Sequence, residues 1–417
     1  MALRVAGSGE VRFRDLEWKD LNSRVLRAGT VSSRFRMQHL NDFYYGWSAT
    51  AADINRDGIQ DVISGPFYYL GPDYETSREF YLGLPSNPGT QYANAMVNFA
   101  SDYTGDGWPD ILVAESRPLA LYVNPRGERR RWDRHVVVPD AISEINVFKD
   151  VDGDRRPDVV FTGKTGVSWA APDSANPTGP WTVHNVSGPA FAVEATHGLG
   201  AGDINGDGRV DIVSAHGWWE QPAMGARPGP WPYHPVQLGR WARMSSSPGG
   251  GDMGVYDVNG DGLNDVVTSL EGHGWGLAWF EQTRNAGGAI SFVEHMIADN
   301  FSSTNAGDVT FSEAHATSFA DIDGDGVQDL IVGKRSFAHS ESYYDPDPYG
   351  AAVLYWYRTV RTASAPGGAE FVPELIHNRS GAGSTIGVAD LNGDGAPDVM
   401  TSTTRGTFIF WNTPRRR

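Results

Sequence analysis

Short apolar runs recur along the chain, each fastened directly to an acidic box. Asp211-Ile-Val-Ser, Asp265-Val-Val-Thr and Asp329-Leu-Ile-Val are three of them. Runs of this length, rich in β-branched residues and bounded by Gly and Asp, read as strands. No long amphipathic helical pattern interrupts them. Each repeat is expected to run strand, box, strand, loop, strand, loop, strand. In the fourth repeat the strands are expected near 195–202, 210–215, 218–220 and 231–237. Four-stranded units repeated radially are the blades of a propeller.

Seven boxes set the number of blades. Each follows Asp-x-[Asp/Asn]-x-Asp-Gly-x-x-Asp, and successive starts lie 48 to 69 residues apart, the period of a propeller or solenoid. Position 1 holds Asp53, Asp102, Asp150, Asp203, Asp257, Asp321 and Asp390. Position 3 holds Asn55, Thr104, Asp152, Asn205, Asn259, Asp323 and Asn392, and position 5 holds Asp57, Asp106, Asp154, Asp207, Asp261, Asp325 and Asp394. Position 9 holds Asp61, Asp110, Asp158, Asp211, Asp265, Asp329 and Asp398. The spacing is similar to the first part of an EF-hand loop, where oxygens at alternate positions wrap a hard cation and Gly at position 6 makes the turn. The distal Glu and flanking helices are missing, so each box reads as a calcium-holding turn between strands. An Asp/Gly turn without an ion is the alternative, since both residues favour turns. Against it, 23 Asp share seven tight loops in a chain of net charge −17, and their mutual repulsion calls for counter-ions. The third box carries Arg155 in place of Gly and is expected to be the weakest site.

The ends predict closure. Only two strands fit after the seventh box, near 398–403 and 406–412, so the segment from Arg34 to Leu40 is expected to complete that blade. Pairing the two ends removes exposed sheet edges. The expected organisation is an extension over 1–29, one all-β seven-bladed propeller over 30–413, and a basic tail over 414–417. The acidic balance argues against nucleic acid. No apolar run reaches membrane-spanning length. Cysteine is absent, so redox context cannot be read. The N-terminal segment lacks an apolar signal core. That leaves a cytoplasmic location, or an extracellular or periplasmic one if a signal was removed. Oligomeric state is not legible.

The boxes resemble the FG-GAP/VCBS type of calcium-binding propeller repeat across about residues 30 to 413. That resemblance implies the fold and several structural calcium ions. The type occurs in integrin heads, lectins, lyases and surface proteins, so fold alone does not give function.

Because each box joins strand one to strand two, the start of strand one and the end of strand two meet at the opposite rim. Six residues before the boxes stand Trp47, Met96, Glu144, His197, Gly251, His315 and Ser384; just past strand two stand His216, His273, Lys334 with Arg335, and Arg405, among others. Histidine is a frequent metal ligand and acid–base residue. A mixed His/Glu set could hold a further divalent ion (Zn²⁺, Mn²⁺ or Mg²⁺) and polarise an oxyanion. The candidate catalytic set is His197, His315, His216, His273, Glu144, Lys334 and Arg335. His315 or His197 would take a proton, and Glu144 would serve as ligand or acid. Trp47, Tyr45, Trp218, Trp275, Arg405 and His339 are the candidate substrate contacts, since exposed aromatics beside carboxylates and Arg suit sugar rings. Trp219 and Trp279 are expected in the core.

His197-Gly-Leu-Gly-Ala-Gly-Asp203 and His216-Gly-Trp-Trp-Glu-Gln-Pro222 are similar to segments in the propeller part of the aldos-2-ulose dehydratase (1,5-anhydrofructose dehydratase) family. That resemblance implies elimination of water or a glycosidic group from a keto-sugar. The alternative is a non-catalytic carbohydrate-binding or adhesion propeller.

Overall fold

The structure is a computed structural model, and it describes residues 31–115, 117–191, 197–223, 229–240, 249–339 and 345–413. The described strands form seven four-stranded sheets. The first blade is Thr50–Ala52, Asp61–Ser64, Phe67–Leu70 and Thr76–Glu79, each strand antiparallel to the next. The following five blades repeat this order. In the seventh, Gly387–Ala389, Asp398–Thr403 and Gly406–Asn412 are completed by the N-terminal strand Phe35–Asn41. It pairs antiparallel from Phe35↔Asn412 to Asn41↔Thr407, one residue along from the expected bounds. The extension and the basic tail lie outside the described residues.

The fourth blade has shorter strands than the pattern suggests: Leu199–Gly202, Asp211–Ser214, Gly217–Trp219 and Tyr233–Pro235. Pro232 and Pro235 lack the amide that a longer ladder would need, and the first expected strand begins partly outside the described residues.

The core lies between blades rather than at one centre. Ile63, Phe80, Ile111, Val113, Tyr122 and Trp132 fill the space between the first two blades. Val160, Trp169, Ile212 and Trp219 do so between the third and fourth.

The boxes form the turns between first and second strands. Their position 6 takes a left-handed conformation, with φ +89 at Gly58 and +84 at Gly208. Arg155 adopts φ 71 at the same place, so the third box keeps the turn despite its missing glycine. Loop carboxylates accept the box's own amides: Asp203 receives Asp207 N at 3.0 Å and Gly208 N at 2.8 Å.

The position 9 aspartates have a second duty. All seven are buried. Asp211, for example, accepts Ile204 N at 2.9 Å within its box and Gln221 N at 2.8 Å from just past the third strand. That residue, in the third strand or just past it, then reaches into the preceding blade. Gln221 donates its amide to Val151 O at 2.7 Å, Gln282 to Ile204 O at 2.9 Å, Asn124 to Ile54 O at 3.0 Å and Asn412 to Ile322 O at 2.8 Å. Each of these clasps ties one blade to the box of its neighbour.

Candidate functional site

At the rim opposite the boxes, side chains from separate blades converge. Glu144 precedes the third blade's inner strand Val147–Lys149, and His197 precedes the fourth blade's Leu199–Gly202. His273 follows the fifth blade's second strand Asp265–Ser269. His315 lies in the sixth blade's inner strand Ala314–Ala320, and Arg335 directly follows its second strand Asp329–Lys334.

Local backbone devices aim these groups. His315 occupies a register shift between Ala314 and Ala316, and a bulge of this kind redirects a side chain. Gly272 leaves the room His197 needs, since a Cβ there would lie 3.1 Å from the His197 ring.

The imidazoles meet through their Nε2 atoms. His197 Nε2 is 2.9 Å from His315 Nε2 and 3.2 Å from His273 Nε2. Glu144 Oε2 lies 3.1 Å from His315 Nε2 and 3.7 Å from His197 Nε2. All three histidines are buried, while Glu144 is part-exposed. Nitrogens this close cannot all carry protons. Burial, then Arg335, pushes His315 down to about 3, and burial with the neighbouring imidazoles holds His273 well below its ordinary value. Neutral rings have the lone pairs that metal binding needs. Burial would raise Glu144, yet Arg335, His197 and His315 together hold it well below the usual carboxylate range. Two ligands 2.0–2.1 Å from one tetrahedral zinc ion are about 3.3 Å apart, close to the spacings seen here.

Arg335 braces the cluster. Its Nη1 donates to Glu144 Oε2 at 2.6 Å and lies 2.7 Å from His315 Nε2. Its guanidinium carbon is 4.0 Å from the centroid of the Trp47 ring. Both Arg335 and Trp47 are fully buried.

The other candidates distribute unevenly. His339 joins the group, with its ring 4.1 Å from that of His273 and Nδ1 2.7 Å from Asp345 Oδ1. Lys334 does not face the histidines' partners: its ammonium is sealed against Glu313 at 2.8 Å and Ser312 at 2.6 Å. His216 is half-buried and is not one of the three converging imidazoles. Tyr45 and Trp275 are part-exposed, packed edge-on against Phe67 and Phe301 respectively. Arg405 is exposed. Trp47 is covered by Arg335 and offers no open face.

Trp218, expected at the rim, is core. It is buried under His234, with ring centroids 4.0 Å apart. Val213 pairs with Trp218 in the fourth blade as Val267 pairs with Trp279 in the fifth. The matching stretches are thus Trp218-Trp219-Glu220-Gln221 and Trp279-Phe280-Glu281-Gln282, aligned from the clasping glutamine rather than from the preceding His-Gly. Asp345 was not among the expected residues. The signal for it is its aspartate-rich loop, which begins outside the described residues.

Among the boxes, Asp150, Asp152 and Asp158 have ligand atoms within 4.8 Å of one another, as do Asp321, Asp323 and Asp325. The first trio belongs to the box expected to be weakest.

An FG-GAP-like repeat model matches residues 150–214, which takes in the third and fourth boxes. No curated protein matches. Among solved structures, an Agrocybe aegerita lectin described as recognising non-reducing terminal N-acetylglucosamine is 16% identical, with TM-score 0.45 over 87% of this chain and 93% of that one. The V. cholerae biofilm matrix protein Bap1 is 10% identical, with TM-score 0.39 over 93% and 90%. Rhamnogalacturonan lyase YesW is 14% identical, with TM-score 0.41 over 93% and 74%. Likeness at this level says nothing of what this chain binds. No described helix is long and apolar enough to cross a membrane.

Proposed function

We propose that this propeller binds carbohydrate at its axial mouth around one divalent ion held by His197, His273, His315 and Glu144. The observation that carries the reading is the meeting of three buried imidazole Nε2 atoms, 2.9 and 3.2 Å apart, beside a carboxylate. Imidazole donors suit zinc better than magnesium or manganese. The three imidazoles and Glu144 make four protein ligands, so a sugar oxygen would join as a fifth ligand or take the place of Glu144. The part-exposed rings of Tyr45 and Trp275 supply apolar faces against which a sugar can stack. We further propose that the seven boxes hold calcium, on oxygens from positions 1, 3, 5 and 9.

A sugar carbon–oxygen lyase, as the dehydratase resemblance implies, is the second reading. Arg335 favours it, because a fixed guanidinium beside the proposed ion is suited to an oxyanion. The placement of the bases weighs the other way. His197 and His315 face each other, and Lys334 is closed by Glu313, so none stands ready to take a substrate proton. Binding is therefore the primary reading.

The test is retention on immobilised glycans with and without zinc, run beside an assay for keto-sugar consumption. Zinc-dependent retention without turnover supports binding, and turnover lost in His197→Ala supports the lyase. Neither retention nor turnover would sink both.

A further inference from the structure

His273 has two ring nitrogens, and the centre described above uses one. Nε2 points to His197. Nδ1 is buried and finds no hydrogen-bond partner, although His273 is only 7% exposed. An orphaned buried polar atom is costly, and this one faces donors of a second kind. Asp345 Oδ1 lies 3.9 Å from it, too far for a hydrogen bond. Asp345 Oδ1 is also 2.7 Å from His339 Nδ1. His273, His339 and Asp345 offer ligand atoms all within 4.8 Å of one another. Two donors about 2 Å from one ion can stand anywhere up to roughly 4 Å apart, so 3.9 Å fits a shared ion where it does not fit a hydrogen bond.

We infer that His273 Nδ1, His339 and Asp345 form a second transition-metal site, and that the His273 ring bridges it to the first. The inference rests on the proposed first ion only for the bridge. The donor set of two imidazoles and one carboxylate suits Zn²⁺ or Cu²⁺. With both nitrogens coordinated, the His273 ring proton passes to solvent and the ring sits as an anion between two dications. Asp345 adds a further negative charge. His339, part-exposed, places the second ion on the solvent side of the first.

Cu²⁺ is the probe. The whole chain is stripped with chelator, supplied with excess calcium to occupy the boxes, and titrated with Cu²⁺. Stoichiometry and electron paramagnetic resonance intensity are read together. Two Cu²⁺ are expected, with intensity collapsing as the second ion enters and its spin couples to the first through the ring. Asp345→Asn and His339→Gln should each bind one Cu²⁺ with full intensity, and an unchanged melting temperature in calcium would show that the fold survives. Should one variant fail to fold, the other carries the test. One Cu²⁺ in the unmodified chain overturns the second site and leaves the first standing. Two uncoupled Cu²⁺, unaffected by either substitution, also overturn it. No Cu²⁺ at all overturns the first site as well.

Discussion

Arg335 lies face-on over Trp47, its guanidinium carbon 4.0 Å from the ring centroid. The two come from the sixth and first blades, and the same guanidinium holds Glu144 of the third at 2.6 Å. One side chain thus joins three blades across the rim. Removing a partner from a buried ion pair costs roughly 3–5 kcal/mol, since it leaves a charge uncompensated. Arg335→Ala is expected to fall in that range by denaturant unfolding. Arg335→Lys should recover only part of it, because an ammonium lacks the planar guanidinium that lies over Trp47 while its Nη1 reaches Glu144. A loss under about 1 kcal/mol for Arg335→Ala would mean that the brace carries little of the stability.

The three converging histidines should behave as a unit, and His216 should not. Losing even an outer-shell partner costs about 10–100-fold in metal affinity, so His197→Ala, His273→Ala and His315→Ala should each weaken zinc binding by at least that much. His216→Ala should leave it unchanged. Calorimetric titration in excess calcium measures both. Equal effects at all four positions would return His216 to the set.

Much of this architecture was legible because it repeats. Box, strand and box again give the blade count, and the incomplete seventh blade points to Arg34–Leu40, one residue away from the observed Phe35–Asn41. The rim was legible in part, since topology alone sends His197, His273, His315, Glu144 and Arg335 to one face. What a repeat cannot reveal is which side chain covers which. Trp47 reads as an open aromatic until Arg335 is seen to lie on it. Histidine also follows a second pattern: His135, His184, His234 and His295 occupy matching outer-strand registers opposite Leu121, Trp169, Trp218 and Trp279. A histidine's place in the repeat therefore does not by itself mark the rim. The clasping Asn and Gln residues were invisible for a different reason, since their contacts run between blades.

The clasps should stabilise the ring individually. Gln282 donates to Ile204 O and also to the Asn264 carbonyl, and it is fully buried. A buried acceptor left without its donor costs about 1–3 kcal/mol. Gln282→Leu is expected to lose that amount, with Asn412→Leu similar at the closing seam. Thermal or denaturant unfolding of the single and double variants measures it. The two seams are remote, so the losses should add to within about 0.5 kcal/mol.

Closure by the N-terminal strand can be tested by its removal. Phe35 is buried against Trp356 of the sixth blade, and the strand covers the edge of the neighbouring strand from Thr407 to Asn412. A chain beginning at Asn41 should melt lower and associate through the bared edge. Light scattering and melting together report this. A monomer as stable as the full chain would count against the seam.

Calcium and protons should compete at the boxes. Burial pushes the carboxyls of Asp61, Asp110, Asp211, Asp265 and Asp398 up to about 6, and those of Asp158 and Asp329 up to about 7. In the unfolded chain the same groups titrate near 3.9, so between these values the folded, ion-free protein binds more protons. Its stability from these groups therefore rises as pH falls from about 7 toward 4. Calcium needs the carboxylates ionised, so its binding releases protons and its stabilisation runs the other way. The quantity to follow is the difference between the melting temperatures in calcium and in chelator. Measured on protein already stripped of any rim ion, the difference is free of groups that calcium does not touch, including the rim histidines. It should be largest near pH 8, shrink through about pH 7 to 6 and nearly vanish by about pH 5. Asp211→Asn, which fixes one position 9 group as neutral, should lower the difference at pH 8 and flatten its pH dependence. A difference that stays constant from pH 8 to 5 would show that these buried carboxylates serve the fold alone and hold no ion.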